Sequence, residues 1–343
     1  MTKIPLQRRT TILLTAALLL SALVLQACGG GSNKEGGAAA ASAGGDAASD
    51  IPSVLTYGYI GVNDLNLPTG AEGWGFHTGI IQEELKKYGI TEVKLVAFPN
   101  GPDQSESLIS GRIDFGSLGD TPAILARSTG APSRLIAQQS SAIIGYLIGK
   151  KDGPKTVKDL EGKTIAIQKG SFMHRYVVGL LEQEGVKDYK LVHMLRPDGE
   201  AALARGEVEA MTNTGPNALK QLDEGYAHLD DASKHPDLVG TSTTVVSEKY
   251  LAKFPDFPKV WNEIREKALA DLKQHEQEYY ELVAQIQQST PELVKEANPI
   301  SYITDTAFTD EGIALLEGTK DFLVKEKIAD KDFGIQDWIL RAE

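Results

Sequence analysis

Two short segments combine glycine, a hydroxyl side chain and a helix start, a grouping that can bind an anion. In the first, DFGSLGDTPAILA (residues 114–126), Pro122 suits the first helical position, so the sequence predicts Thr121 as the N-cap. Gly119 just before it would let backbone approach a ligand closely. Free N–H groups and the dipole at a helix N-terminus favour an anion. A tight turn with a capped helix and no ligand explains the same pattern.

The second segment, QKGSFMHR (residues 168–175), repeats the arrangement after another strand. Gly170 follows the strand, Ser171 is the predicted N-cap, and His174 falls in the first helical turn, where its imidazole could reach the same anion. A histidine at such a position can equally be solvated or serve packing. We predict that the two segments face each other across a ligand cleft.

Other chemistries find no support in the sequence. The only cysteine is Cys28, which excludes a disulfide framework, an iron–sulfur cluster and a cysteine nucleophile in the body. No H-E-x-x-H, C-x-x-C or G-x-S-x-G pattern occurs, and we therefore expect no metal, no cofactor and no catalytic residue. The formal charge of −12 argues against nucleic acid as a partner, because such binding rests on Lys and Arg.

The first 50 residues are interpreted as export and anchoring sequence. Arg8 and Arg9 precede the apolar run 12–25, so residues 1–27 are predicted to be a signal peptide. The following LQAC is similar to a bacterial lipobox, which would make Cys28 the lipidated first residue of the mature chain. Residues 28–50 are rich in Gly, Ala and Ser and are predicted to be a flexible tether.

An internal repeat indicates the fold class. The segment from Lys94 recurs from Lys190, with Lys-Leu-Val offset by 96 and most later matches offset by 95. In each copy, a helix ending at glycine is followed by a short strand, a helix predicted to be capped by Asp103 or Asp198, a further strand and a loop. Strands that alternate with helices of this length predict βαβ units and an α/β fold.

The duplication predicts two lobes of similar topology. We expect residues 51–142 and 241–343 to form the first lobe and residues 143–240 the second, with apolar crossings at 142–150 and 238–250. Each lobe would contain a mixed sheet flanked by helices. In open α/β sheets, ligands bind beyond the carboxyl ends of the strands, so the cleft between the lobes is the predicted binding site.

The order of motifs resembles a known family. F-x-x-G-x6-L-x-x-G-x-I-D-F-G, G-D-T-P, D-L-x-G-K-x-I-A and K-G-S-x-x-H, spread over about residues 51–340, are similar to the substrate-binding proteins of ABC importers for aliphatic sulfonates, taurine and nitrate. The resemblance implies a two-lobed, type II-like periplasmic-binding-protein fold. It implies capture of an organic oxyanion, such as an aliphatic sulfonate, a taurine-like compound or a sulfate ester, by a protein that is not an enzyme.

The implied partners and location follow from the same resemblance. We expect an exported monomer, held at the cell membrane by a lipid on Cys28, that delivers its solute to an ABC permease and its ATPase. Nitrate, bicarbonate or a thiamine-precursor pyrimidine are alternative ligands. A surface solute sensor without transport is an alternative role.

Carried over residue by residue, the family's anion contacts fall on two loops. They are Gly119, Asp120 and Thr121 in the first lobe, with Asp120 orienting loop amides, and Ser171 and His174 in the second. Many family members have tryptophan in the loop after the second module, whereas this chain has Asn213 and Thr214, a smaller and more polar wall. The long first loop adds three candidate ligand contacts, Tyr59, Asn63 and Trp74. Trp74 or Tyr59 would pack on an organic tail, and core or lid packing explains either residue equally well.

Overall fold

The structure, a computed structural model, describes residues 51–341. The predicted signal peptide, the lipidation residue Cys28 and the tether lie outside this range. Within residues 51–341, no helix is both long enough and apolar enough to cross a membrane.

In the described part of the chain, ten strands form two five-stranded sheets. They are β1 (Val54–Ile60), β2 (Glu92–Phe98), β3 (Phe115–Gly119), β4 (Ser133–Gln138), β5 (Gly145–Gly149), β6 (Lys163–Ile167), β7 (Tyr189–His193), β8 (Ala210–Thr214), β9 (Ala227–Asp231) and β10 (Ser242–Ser247). The first sheet has the order β2-β1-β3-β10-β4 and the second has β7-β6-β8-β5-β9.

The two sheets share one pairing pattern. β1 lies parallel to β2 and β3, and β6 lies parallel to β7 and β8. An antiparallel strand then joins each parallel trio, β10 beside β3 and β5 beside β8. The repeat in the sequence is therefore a repeat in the structure, and the predicted pair of mixed sheets is confirmed.

Thirteen helices flank these sheets within the described residues. They are α1 (Gly70–Thr78), α2 (Ile80–Lys86), α3 (Gly101–Ile109), α4 (Asp120–Ser128), α5 (Phe172–Glu184), α6 (Arg196–Arg205), α7 (Gly215–Asp223), α8 (Glu248–Leu251), α9 (Phe257–Leu272), α10 (Glu276–Gln287), α11 (Pro291–Ala297), α12 (Asp310–Lys325) and α13 (Ile335–Trp338).

Glycines end the helices of the second copy where the sequence predicts them, whereas in the first copy the C-caps are Lys87 and Ser110, two residues and one residue before the predicted glycines. Gly185 and Gly206 are the C-caps of α5 and α6, with φ of 73° and 71°, a left-handed conformation that side chains disfavour. The predicted aspartate caps are wrong, because both helices start earlier. Asn100 caps α3 by accepting from the Asp103 amide at 2.9 Å, and α6 begins after Leu195 without a side-chain cap.

Each sheet has its own apolar core. In the first, Tyr57 and Phe115 pack against Trp261 of α9, with ring centroids of Phe115 and Trp261 4.6 Å apart. In the second, Ile165 and the other inward residues of β6 pack against α5 around Tyr176. Helices α12 and α13 cover the other face of the first sheet. Each of these helices thus belongs to one sheet by its packing, and the lobe boundaries at 142 and 241 stay predictions.

Candidate functional site

The start of α4, from the first sheet, meets the start of α5, from the second. We call this place the α4–α5 junction and define it by Asp120, Thr121, Ser171, His174 and Arg175. It lies directly beyond the carboxyl ends of β3 and β6, the position where open α/β sheets bind ligands. The structure thus brings the two sequence-predicted loops together.

At the start of α4, the amide and the hydroxyl of Thr121 already donate to a carboxylate of the same chain. Gly119 is the N-cap of α4, so the prediction that Thr121 is the N-cap is wrong. Asp120 is the first helical residue, and its Oδ1 accepts from the Thr121 amide and, at 2.9 Å, from the Thr121 hydroxyl. Both side chains are fully buried. A carboxylate of the chain itself therefore occupies this helix N-terminus.

Arg175 of α5 completes the arrangement around Asp120. Its guanidinium is fully buried and lies 3.5 Å from Asp120 Oδ2, which also accepts from the Thr241 amide at 3.0 Å. Two carbonyls of the segment between the sheets, Asp237 at 3.0 Å and Val239 at 2.7 Å, accept from its Nη atoms. Charge at the centre of the junction is consequently balanced.

The α5 side is a loop held by serine and histidine. Ser171 is the N-cap of α5, as predicted, and its hydroxyl donates to the Gln168 carbonyl at 2.6 Å. His174 Nδ1 accepts from the Gly170 amide at 3.3 Å, and His193 Nδ1 accepts from the Lys169 amide at 3.0 Å. Two imidazoles thus order consecutive amides of one loop.

The electrostatic surroundings keep His174 neutral. Burial, and then the charge of Lys169, lower the pKa of His174 below its ordinary value of 6.5. Since Nδ1 accepts a hydrogen bond, the proton of the neutral ring is on Nε2. His174 therefore offers a neutral N–H donor at pH 7, which can bind an anion without a full countercharge.

A second polar group lies further back along β3. Ser117, half-buried, bonds the Tyr57 hydroxyl and accepts from Gln139 Nε2 at 2.6 Å. Gln139 also donates to Glu72 in the first turn of α1, a carboxylate that is almost completely buried. Burial raises the pKa of Glu72, partly offset by the charge of Arg265. This carboxylate can accept from an ammonium group, or donate when it is protonated.

The three candidate ligand contacts of the first loop lie elsewhere, and each has a partner in the protein. Tyr59 is buried and donates to Asn66 at 2.9 Å, and Asn63 donates to the Leu67 carbonyl at 2.9 Å within the same loop. Trp74 is buried against α10, with its indole N–H donating to Asp271 at 2.7 Å. These contacts explain the three residues by loop structure and packing, and solute contact by them remains an untested prediction.

Asn213 and Thr214 are the last two residues of β8, at the carboxyl edge of the second sheet. Asn213 is buried and donates to Gln221 at 2.7 Å and to Glu200 at 3.2 Å. Thr214 is half-buried, and its hydroxyl donates to the Ile144 carbonyl at 2.8 Å. Thr214 is thus the more accessible of the two for a solute.

Four residues of the site were missed by the sequence reasoning: Glu72, Gln139, Arg175 and His193. Arg175 stands one residue after His174, and a charged residue in an otherwise apolar helical stretch is the signal that could have identified it. Glu72, Gln139 and His193 carry no comparable signal, because their neighbours are distant in sequence. Among residues 51–341, no three His, Cys, Asp or Glu side chains are placed to hold a metal ion.

Comparison with known protein families identifies the class. The model of the NMT1/THI5-like family matches residues 77–278, more than half of the chain, and the protein belongs to this family. A putative aliphatic sulfonates-binding protein of Bacillus subtilis is 26% identical over 267 residues, 76% of this chain and 79% of the relative.

Two Escherichia coli relatives have related names. A putative aliphatic sulfonates-binding protein is 32% identical over 177 residues, 50% of this chain and 52% of the relative. The taurine-binding periplasmic protein is 26% identical over 189 residues, 48% of this chain and 58% of the relative. The resemblance seen in the sequence motifs is confirmed, and these relatives are named as binding proteins.

Solved structures confirm the fold. The alkanesulfonate-binding protein of Xanthomonas axonopodis pv. citri bound to MOPS superimposes with a TM-score of 0.70 at 22% identity, over 85% of this chain and 99% of that one. A Candida albicans protein described as having the generic periplasmic binding protein structural fold gives 0.66 at 16% identity, over 85% and 97%. The desulfurization enzyme DSZB gives 0.65 at 16% identity, over 84% and 96%, so the same fold also carries catalysis.

Proposed function

We propose that this protein is an extracytoplasmic solute-binding protein that captures an organic oxyanion and delivers it to an ABC importer. The solute class is an aliphatic sulfonate, a taurine-like compound or a sulfate ester. In this proposal a lipid on Cys28 anchors a monomer at the membrane, and the partners are the permease and its ATPase. The sulfonate- and taurine-binding names of the relatives support this solute class.

One observation carries the proposal: the first turns of α4 and α5 come from different sheets and meet at one junction. Domain closure about such a junction buries a small solute from two sides. On the α5 side, the Ser171 hydroxyl and the Gly170 amide already donate to Gln168 and His174, so the neutral Nε2–H of His174 is the group of this loop that we expect to bind an oxyanion. On the α4 side, Asp120 already fills the helix start, so we place the anionic head nearer to His174 than to Thr121.

In this proposal, Glu72 selects the chemical group at the end of the solute opposite the anionic head. Ser117, two positions before Gly119 on β3, is linked to Glu72 through Gln139. A carboxylate there favours a solute with an ammonium group over a plain alkanesulfonate. Taurine and ethanesulfonate differ in this group alone and are the discriminating pair of ligands.

Isothermal titration calorimetry of the mature protein tests the proposal. The ligand panel is ethanesulfonate, taurine, a methyl sulfate ester, nitrate, bicarbonate and a thiamine-precursor pyrimidine. We expect at least one sulfonate or sulfate ester to bind and to be recovered unchanged, which separates a binding protein from an enzyme. Binding of none of the organic oxyanions, or their turnover, would contradict the proposal.

A variant locates the site. His174→Ala is expected to weaken binding of that ligand roughly tenfold, since one hydrogen bond to a charged group contributes about 1.5–3 kcal/mol. The matched control is His228→Ala, because His228 is an exposed histidine on β9 of the same sheet, paired with Asp231 at 3.1 Å. If both variants bound the ligand with equal affinity, the solute site would not lie at the α4–α5 junction.

A further inference from the structure

We propose that the Asp120 carboxylate fills an oxyanion site of its own chain and, through Arg175, latches the α4 end of the first sheet to the α5 end of the second. This inference goes beyond solute capture. It rests on contacts between the two sheets and does not depend on which solute the protein takes.

Asp120 is surrounded by the donors that an oxyanion requires. Oδ1 takes the Thr121 amide and hydroxyl, and Oδ2 takes the Thr241 amide and the Arg175 guanidinium. The α4 helix dipole adds further stabilisation of negative charge at this point. A free carboxylate of the same size would find the same donors if the side chain were removed.

Arg175 ties three separate segments together. It belongs to α5, which packs on the second sheet, while Asp120 and Thr121 begin α4, which packs on the first. Its other hydrogen bonds go to the carbonyls of Asp237 and Val239, just before β10 returns the chain to the first sheet. Separation of the two sheets at this junction would therefore break contacts of one guanidinium with its partners on α4.

Burial distinguishes this pair from a second ion pair between the same two bodies. Lys325 of α12 and Glu182 of α5 lie 2.7 Å apart, but both side chains are largely exposed. Exposed pairs contribute little because water and salt screen them. Loss of one partner of a buried pair leaves an uncompensated charge without solvent, which is strongly unfavourable. Opening of the junction is consequently resisted by Asp120–Arg175 and hardly at all by Glu182–Lys325.

The test combines hydrogen exchange with small-angle X-ray scattering on the mature protein in the absence of solute. We expect the radius of gyration to increase in both Asp120→Ala and Arg175→Met, and in Arg175→Met, which keeps Asp120 as their acceptor, the exchange rates of the Thr121 and Thr241 amides to rise roughly tenfold or more. Glu182→Gln is the matched control and should change neither quantity. Circular dichroism verifies that each variant is folded.

Chemical rescue tests the oxyanion site itself. Sodium formate supplies the carboxylate that Asp120→Ala lacks, so it should restore slow exchange and the smaller radius in that variant. It should not restore them in Arg175→Met, and sodium chloride at equal ionic strength should restore neither. Rescue of both variants, or of neither, would overturn the assignment of an oxyanion site.

A nearly isosteric variant covers the case in which Asp120→Ala does not fold. Asp120→Asn keeps the shape and one acceptor but leaves the Arg175 charge without a counterion, so the same increase in exchange and radius is expected. Wild-type exchange and radius in folded Asp120→Asn and Arg175→Met would refute the latch.

Discussion

Glu72 shows how one buried carboxyl group links the site to the stability of the protein. Burial raises its pKa above the ordinary value of 4.5, so between that value and the raised pKa the folded state binds more protons than the unfolded state. The free energy of unfolding therefore decreases as pH rises through this window, with a slope of up to about 1.4 kcal/mol per pH unit.

We predict that Glu72→Gln removes this contribution. Denaturant unfolding from pH 4.5 to 8 should show a flatter pH profile than the wild type, and a free energy of unfolding at pH 7 equal to or above it. Glu83→Gln, which alters an exposed glutamate paired with Lys86, should keep the wild-type profile. A profile of Glu72→Gln that parallels the wild type would contradict the prediction.

At this scale, the sequence could identify residues whose role is local. Ser171 was predictable as a cap because a cap acts within one helical turn, and His174 because it shares that turn. Asp120 was expected to orient amides, which its bond to the Thr121 amide bears out. Arg175 and Glu72 act through partners 55 and 67 positions away, and no local pattern specifies such partners.

Among the elements, α5 connects local capping to the site. We predict that Ser171→Ala lowers the free energy of unfolding by about 1 kcal/mol, the usual effect of losing an N-cap, and also weakens solute binding. Thr290→Ala is the matched control, since Thr290 caps α11 by accepting from the Leu293 amide at 3.3 Å and lies outside the α4–α5 junction. It should lose similar stability and keep wild-type affinity. Calorimetry and denaturant unfolding measure the two quantities, and equal effects on affinity would contradict the prediction.

Element types were predictable because the repeat shows each pattern twice. The pattern predicts strands at 54–60 and 113–115; β1 has the first of these bounds, whereas β3 runs from Phe115 to Gly119 and shares only Phe115 with the second. Asp114 nevertheless contacts β1, since its N–H donates to the Thr56 carbonyl at 3.0 Å and its side chain accepts from the Thr56 amide at 2.8 Å. A side-chain bond of this kind to a neighbouring strand leaves no mark on hydrophobic periodicity.

For the whole molecule, the sequence predicted two similar α/β bodies but not how they touch. The contact between them depends on single atoms. A Cβ at Gly170, which has φ of 80°, would lie 3.1 Å from Pro102 Cγ of α3, on the other sheet's side of the junction. Glycine at this position therefore allows both a left-handed backbone and close approach of the two bodies.

Gly170→Ala and Gly185→Ala separate these two effects. Both glycines flank α5 with positive φ, of 80° and 73°, but a Cβ at Gly185 would meet nothing within 4 Å. Each substitution should cost about 1 kcal/mol of stability from backbone strain alone. Only Gly170→Ala should also weaken solute binding, by roughly tenfold, because the α5 loop must move away from Pro102 and His174 moves with it. Calorimetry measures the solute affinity of both variants. An equal loss of affinity in Gly185→Ala would contradict the prediction, because the effect would then come from α5 as a whole and not from the contact between the two bodies.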